Sequence, residues 1–370
     1  MRVVVLCGGE SPEREVSLAS GRSVASALLE SGYEVTVVDP AAEVPVLAGP
    51  LRAGDAGGAL GAAVVGKEPP SPAERPLLRR RMHAALTGGP VLELLRGTEL
   101  VFVALHGGWG EDGHVQGLLE MAGVPFTGAG SAACAAAWHK GRAQAVVGAA
   151  GVPVAERVLW RAGDVTGTPG ASDVPEEARR LVAAGPVVAK PVADGSSVSV
   201  RRVDSLPELV AAAAEVHAGE RHAGRGHAGR GLVRGGELLI EPFLPGREFT
   251  VAVIGDQALP VVEIELTSPV FDYAAKYQPG AVSEVCPARV PADVAARLQE
   301  WALRTHRALG FGEDTYSRTD FRCDADGQPV CLELNALPGL TPESLVPRAA
   351  TGTGWSYAEL IRRIVALTEH

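Results

Sequence analysis

The sequence has no excess of positive charge, no paired cysteines and no long hydrophobic run, and each absence removes a class of function. Lys and Arg total 34 against 44 Asp and Glu, a formal net charge of −10. Nucleic-acid binders carry a basic surplus or a basic stripe, so no nucleic-acid partner is expected. Net charge does not report on a pocket, which leaves room for a local basic site that holds an anionic nucleotide. The five cysteines, Cys7, Cys134, Cys286, Cys323 and Cys331, are scattered and form no CxxC pair. That excludes a disulfide framework and a structural zinc site and fits buried thiols in a reducing compartment. No stretch approaches ~18 consecutive apolar residues, so no membrane span is expected. The opening MRVVVLCGGES places one arginine before a short apolar run and a glycine turn. This is too short for a signal peptide, and a cytoplasmic location is the expectation.

What is present points to a multi-domain α/β protein. A chain of 370 residues, 46% of them hydrophobic, exceeds one small core and divides into roughly two or three domains. Val3 to Cys7 reads as a buried strand, Glu15 to Leu29 as a helix, and Glu34 to Asp39 as a second strand, the βαβ opening of a parallel sheet. Residues 41–75 are rich in Gly, Ala and Pro and read as loops. Leu100 to Leu105 is a further buried strand with HGGWGEDG at its C-terminal end, where open α/β sheets place ligand groups. Helices are expected over Val115 to Met121 and over the alanine-rich run Ala132 to Val147. Val187 to Lys190 and Val198 to Val203 read as strands around the loop ADGSS. Ser205 and Glu208 form a capping box that opens the next helix. Residues 218–236, with the repeat HAGRG, read as a mobile surface loop. His222 and His227 there are expected to be solvated rather than metal-bound. Further on, strands are expected at Leu238 to Ile240, Phe249 to Ile254 and Leu259 to Leu266, then a helix from Pro291 to Leu309 with proline in its first turn. Strands at Tyr316 to Arg322 and Val330 to Leu334 flank the turn residues ADG, and a final helix covers Tyr357 to Leu367.

Two segments carry candidate chemistry. Glu333 and Asn335 lie two apart on one strand and so share a face. If that strand pairs with the one bearing Asp320, three oxygen-bearing side chains converge, a set suited to Mg²⁺. The same alternation is satisfied by polar positions that merely face solvent. Lys190 ends an apolar strand just before a Gly-Ser loop, an arrangement that suits a phosphate but also an ordinary turn. It is not a P-loop, since the lysine precedes the loop. Glu13, Arg14 and Glu15 stand at a helix start, where acidic residues are common. Spacing alone assigns no role to His106.

In chain order, the blocks GGESPEREVSLAS, LHGGWGEDG, GAG…K ending at Lys140, VVAKPVADGSS, IEPFLPGREFTV, FDYAAKY and YSRTDF…LELNALPGLTPESLVP resemble the D-alanine–D-alanine ligase family of the ATP-grasp group. They recur through the chain, leaving out mainly 41–95 and 204–236. The resemblance implies an α/β ATP-grasp fold with α+β lobes behind an N-terminal parallel-sheet domain. Its expected division is 1–128 (substrate side), 129–236 (central lobe) and 237–370 (C-terminal lobe with the metal and substrate sites). It implies that Lys140, Lys190, Ser197 and Lys276 contact the phosphates, Glu241, Phe243 and Leu244 line the adenine edge, and Glu248 takes the ribose. Asp320, Glu333 and Asn335 would hold two Mg²⁺ (or Mn²⁺), with K⁺ as a candidate monovalent ion. Glu13 would hold the first D-alanine ammonium, Ser344 and Leu345 the second carboxylate, with His106 among the substrate residues. Ser196 and Tyr277 would belong to a closing loop, and Arg318 and the Gly339 amide would face the tetrahedral intermediate. Two D-alanines and ATP are the implied substrates, and a homodimer in a bacterial cytoplasm the implied setting.

Tyr277 goes, in that family, with D-alanine rather than a hydroxy acid as second substrate. The chain departs from the family's usual pattern at Ser199, where glycine is common, at Asp194 for glutamate, and at Trp138 and His139 before Lys140. An insertion before Glu237 is a further departure. None of these removes a catalytic group. A sibling ligase that takes D-serine or makes a natural-product dipeptide is the nearest alternative. A nucleotide-binding regulatory protein without turnover is the next.

Overall fold

The computed structural model describes residues 1–55, 60, 69–71, 73–161, 169–193, 195, 200–222, 237–266 and 282–369. Within the first part, β1 (Arg2–Leu6) leads through α1 (Arg14–Glu30) to β2 (Glu34–Val38). β1 is an uninterrupted buried apolar run, as a strand covered on both faces requires. The expected loop over 41–75 contains instead an edge strand, β3 (Val46–Leu51), antiparallel to β2. Its sequence, VLAGPL, carries glycine and proline, which a strand tolerates only at an edge. Gly49 has φ +121°, and a side chain there would meet the Thr36 backbone at 2.8 Å. Two helices that the sequence reading left unassigned follow, α2 (Arg75–Thr87) and α3 (Gly89–Arg96), and then β4 (Leu100–Val103). Among the described residues this sheet runs β3-β2-β1-β4, with β1 parallel to both β2 and β4. The parallel sheet thus carries one antiparallel edge.

After α4 (His114–Ala122), the expected single helix over 132–147 is two, α5 (Ser131–Trp138) and α6 (Lys140–Ala149). His139 between them is extended, with φ −89° and ψ 93°, and its side chain caps α6 by accepting from the Arg142 amide. Alanine propensity favours helix on both sides of Trp138–Gly141, but the Lys140 N–H is claimed by Val192 O at 2.8 Å, and this tertiary bond replaces a helical one.

The second sheet runs β5-β8-β6-β7, from β5 (Val158–Arg161), β6 (Val187–Pro191), β7 (Arg201–Val203) and β8 (Glu237–Pro242). α7 (Glu176–Ala184) and α8 (Leu206–His222) cover it, around Trp160, Leu181, Leu209 and Ile240. Half of the expected capping box is present: Ser205 Oγ accepts from the Glu208 amide at 3.4 Å, whereas the Glu208 carboxylate takes the amide of Asp204, one residue before the cap. α8 runs on to His222, beyond the expected loop start at 218. His227 and the rest of that segment lie outside the described residues. β8 follows the expected boundary at 236/237 yet completes this sheet.

The third sheet runs β12-β11-β9-β13-β14, with β10 beside β9. Its strands are β9 (Glu248–Ile254), β10 (Gln257–Ala258), β11 (Val262–Leu266), β12 (Val282–Val285), β13 (Tyr316–Cys323) and β14 (Pro329–Asn335), all paired antiparallel. The expected strand 259–266 begins only at Val262, since Leu259 to Val261 are an irregular link between β10 and β11. α9 (Ala292–Ala308) packs on this sheet together with α5 and α6, through Ala133, Val147, Leu298 and Phe321. α10 (Leu345–Gly352) and α11 (Tyr357–Ala366) return to the first sheet. Leu360, Ile361, Ile364 and Val365 share one buried cluster with Val24, Leu28 and the β1 valines. Among the described residues no helix is long and apolar enough to cross a membrane. Cys7, Cys134, Cys323 and Cys331 are buried free thiols, and Cys286 is partly exposed.

Candidate active site

The antiparallel pair β13–β14 brings the sequence-predicted oxygen donors together. Asp320 lies opposite Glu333 and Arg318 opposite Asn335, with a register shift just after Asp320. The Asp320 carboxylate accepts from Arg318 Nε and Nη2 at 2.8 Å each, from Thr250 Oγ1 at 2.6 Å and from Asn335 Nδ2 at 3.0 Å. Glu333 pairs with Lys140 Nζ at 3.0 Å. Two carboxylates and an amide oxygen are hard donors of the kind Mg²⁺ takes, with waters and phosphates completing its shell. Their charge is balanced here by Arg318 and Lys140, so the donor set fits the expected metal. Among the described residues no group of three or more His, Cys, Asp and Glu is placed to hold a metal; the amide oxygen of Asn335 is the further oxygen on this face.

Beside this face lies a second cationic group. Lys190, at the end of β6, is buried and pairs with Glu241 at 2.6 Å. Gln144 Nε2 donates to Glu241 at 2.7 Å and to Leu332 O at 3.0 Å, tying α6 to both sheets. Gln144 was not singled out by sequence, because nothing in an alanine-rich helix marks one glutamine. Beyond β8, the Phe243 ring is flanked by the guanidinium groups of Arg202 at 4.7 Å and Arg322 at 5.3 Å. Leu244 next to it is partly buried. Glu248 is buried and pairs with Arg322 at 3.3 Å.

The N-terminal lobe supplies the opposite wall. Glu13 precedes α1, and its N–H donates to Ser11 Oγ at 3.0 Å. Gly107 and Gly195 both lie close to its carboxylate: a side chain at either would collide with it. A side chain at residue 195 would oblige the Glu13 carboxylate to move. Arg14 is turned away, donating to Gly9 O at 2.8 Å and to Asp39. Glu111, inside the quoted HGGWGEDG block but not selected from it, is buried. Its carboxyl is pushed up to about 8, chiefly by burial and then by the charge of Glu13. His106 is also buried, which lowers it to about 4 and keeps the ring neutral at pH 7.

A turn after β14 closes the site. Ser344 stands at the N-cap position of α10 without bonding the helix amides; its Oγ instead accepts from the Thr341 amide at 3.1 Å and pairs with Thr341 Oγ1 at 2.8 Å. That Oγ stands 3.0 Å from where a side chain on Gly339 would begin, and Leu345 packs into the N-terminal core. Ser196, Ser197, Lys276 and Tyr277, with Asp194 and Ser199, lie outside the described residues.

Two family models cover nearly the whole chain: D-ala D-ala ligase N-terminus over residues 2–129 and D-ala D-ala ligase C-terminus over residues 146–366. The chain belongs to the D-alanine–D-alanine ligase family. Among similar ligases of this family, that of Oleidesulfovibrio alaskensis is 36% identical over 99% of this chain and 96% of its own. That of Cereibacter sphaeroides is 38% identical over 98% and 94%. The D-alanine–D-alanine ligase of Bacillus anthracis, solved with ATP, superposes with a TM-score of 0.70 at 22% identity, over 100% of this chain and 97% of that one. The VanG D-Ala:D-Ser ligase of Enterococcus faecalis superposes at 0.69 with 26% identity, over 100% and 99%. The ligase family thus accounts for the fold as ATP-grasp and for the order of the sequence blocks.

Proposed function

We propose that this chain joins two D-alanines into D-alanyl-D-alanine at the expense of ATP, through an acyl phosphate, to supply a peptidoglycan precursor. The observation that carries the reading is the convergence of Arg318, Asp320, Glu333, Asn335 and Lys140 on one face, opposite Glu13 and beside the Gly339 turn. Lys140 and Lys190 bind the nucleotide phosphates, and Ser197 and Lys276 are proposed as further phosphate contacts. Glu241, Phe243, Leu244 and Glu248 hold the nucleoside. Asp320, Glu333 and Asn335 hold two Mg²⁺ (or Mn²⁺), which supply charge compensation across the phosphoryl oxygens when bound. A monovalent K⁺ belongs to the same proposal.

Glu13 binds the ammonium of the first D-alanine and so orients its carboxylate toward the γ-phosphorus. Attack there transfers the phosphoryl group and releases ADP. The second D-alanine is fixed through its carboxylate by Ser344 and Leu345. Its ammonium gives up a proton and the free amine attacks the acyl carbon; Arg318 and the Gly339 N–H face the oxyanion that develops, and its collapse expels inorganic phosphate and leaves the peptide bond. Ser196 and Tyr277 close over the reactants and exclude water, which would otherwise hydrolyse the acyl phosphate. The same reading divides the molecule into three lobes, with the central one extended through Pro242, and makes it a homodimer of the bacterial cytoplasm.

The test is a panel of D- and L-amino acids and D-hydroxy acids with Mg-ATP, scored for ADP and joined product. D-alanyl-D-alanine formed in step with ADP, with little ester from D-lactate at neutral pH, is expected. Preference for D-serine as acceptor would move the chain beside the enterococcal D-Ala:D-Ser ligase. A folded protein that releases no ADP with any substrate would overturn the reading.

A further inference from the structure

The turn that carries Gly339 is held by side chains from far away in the sequence. His106 Nδ1 lies 2.9 Å from Leu337 O, two residues before Gly339. The Leu340 N–H, one residue after it, points at Ser20 Oγ at 3.3 Å. Ser20 Oγ in turn lies 3.0 Å from His106 Nε2. On the other side, Tyr357 OH donates to Leu340 O at 2.6 Å. Ser20 and His106 are both buried.

The chemistry of the partners gives this chain a single direction. A carbonyl oxygen only accepts, so His106 Nδ1 carries the proton that Leu337 O receives. In the neutral ring Nε2 is then an acceptor, and Ser20 supplies its hydroxyl proton to it. A serine oxygen that donates to Nε2 keeps its lone pairs for the Leu340 N–H. Every polar atom is satisfied. A charged imidazole would add its Nε2–H to the Leu340 N–H as a second donor on the serine oxygen and leave the serine proton without an acceptor in this chain of bonds. Burial, which holds the ring neutral, agrees with this. Both ring nitrogens of His106 are therefore committed to the protein.

We infer that Ser20, acting through His106, is a positioning residue for the ligase reaction, fixing the backbone of 337–340 so that the Gly339 N–H points at the developing oxyanion. The inference rests on the proposed role of that amide. The N-terminal lobe thus reaches the chemistry twice: through Glu13 at the first turn of α1, and two turns further along the same helix through Ser20, which touches no substrate.

The test compares wild type, Ser20→Ala, His106→Asn, the double variant, and Tyr357→Phe, which loosens the same turn from another element. Wild-type turnover tests the proposed function by itself. For Ser20→Ala we expect an unchanged KM for ATP and a kcat lower by about ten- to a hundredfold, the scale of a small misplacement of a reacting group. Less dipeptide should form per ADP, because a misplaced amide slows aminolysis more than phosphorylation. The double variant should lose little beyond the worse single one, since both residues act along one chain. Hydrogen exchange of the peptide spanning 337–341 should quicken in Ser20→Ala and in Tyr357→Phe, a readout that does not depend on the reaction. Wild-type kcat, product ratio and exchange in a folded Ser20→Ala would overturn the inference. If that variant does not fold, the same null result in Tyr357→Phe would do so.

Discussion

Glu111 stays uncharged over much of the pH range in which an exposed glutamate is ionised. Burial raises it from 4.5 to about 8, so between these values the folded chain holds a proton that the unfolded chain has released. Stability contributed by this group therefore falls as pH rises through that window. Glu111→Gln should remove the slope: urea unfolding at about pH 5 and about pH 8 should show a smaller loss of stability in the variant than in wild type. Equal losses would mean that Glu111 ionises normally. Lys190 and Glu241 pose the opposite case, a buried pair at 2.6 Å. Removing one charge leaves the other stranded, so Lys190→Met should cost about 3–5 kcal/mol of stability. The double variant Lys190→Met with Glu241→Gln should recover part of that, and a double variant as unstable as the single one would show that the pair is not what holds the site.

At the scale of elements, the break between α5 and α6 sets where Lys140 stands. His139→Ala should cost about 1 kcal/mol, the usual value of a lost cap, and raise the KM for ATP, whereas His139→Asn should restore both, as an asparagine caps equally well. Identical KM values in all three proteins would disconnect the cap from the nucleotide. The same break shows what a sequence conceals. Alanines on both sides set the helical reading over 132–147; Gly141, a poor helix former, marks the interruption only weakly, and the bond to Val192, a residue far along the chain, leaves no local mark. β3 is hidden for a related reason: VLAGPL has no strand signature and is a strand only by pairing with β2. By contrast β1, β2 and β4 are legible as buried runs, and β13 and β14 through a short turn between two apolar segments. That hairpin made the meeting of Asp320, Glu333 and Asn335 readable from alternation alone. Pairings between segments distant in sequence, such as Lys140 with Glu333 and Gln144 with Glu241, leave no local mark. Glu111 also escaped, since burial is a property of the assembled molecule and not of its own segment.

For the molecule as a whole, the decisive feature is that the buried cluster under the first sheet includes α11. Ile364 is fully covered there with Leu360, Leu28 and Val24. Ile364→Ala should cost about 2–5 kcal/mol, and hydrogen exchange should quicken in β1 and α1 as well as in α11. Exchange confined to α11 would show that the helix is an appendage. Because α11 closes this core, a fragment of residues 1–129 should lack a cooperative urea transition, and one of full amplitude would show the first lobe to be self-sufficient.

The shared core also has a consequence in time. β1 begins at Arg2 and α11 at Tyr357, so a ribosome adding about 5–20 residues per second separates them by roughly 20–70 s. Through that interval the nascent first lobe presents the apolar flank of α1 to solvent. Helix α11 covers it only once its own residues have been made, so a general holdase has a defined surface and a defined window in which to act on this chain.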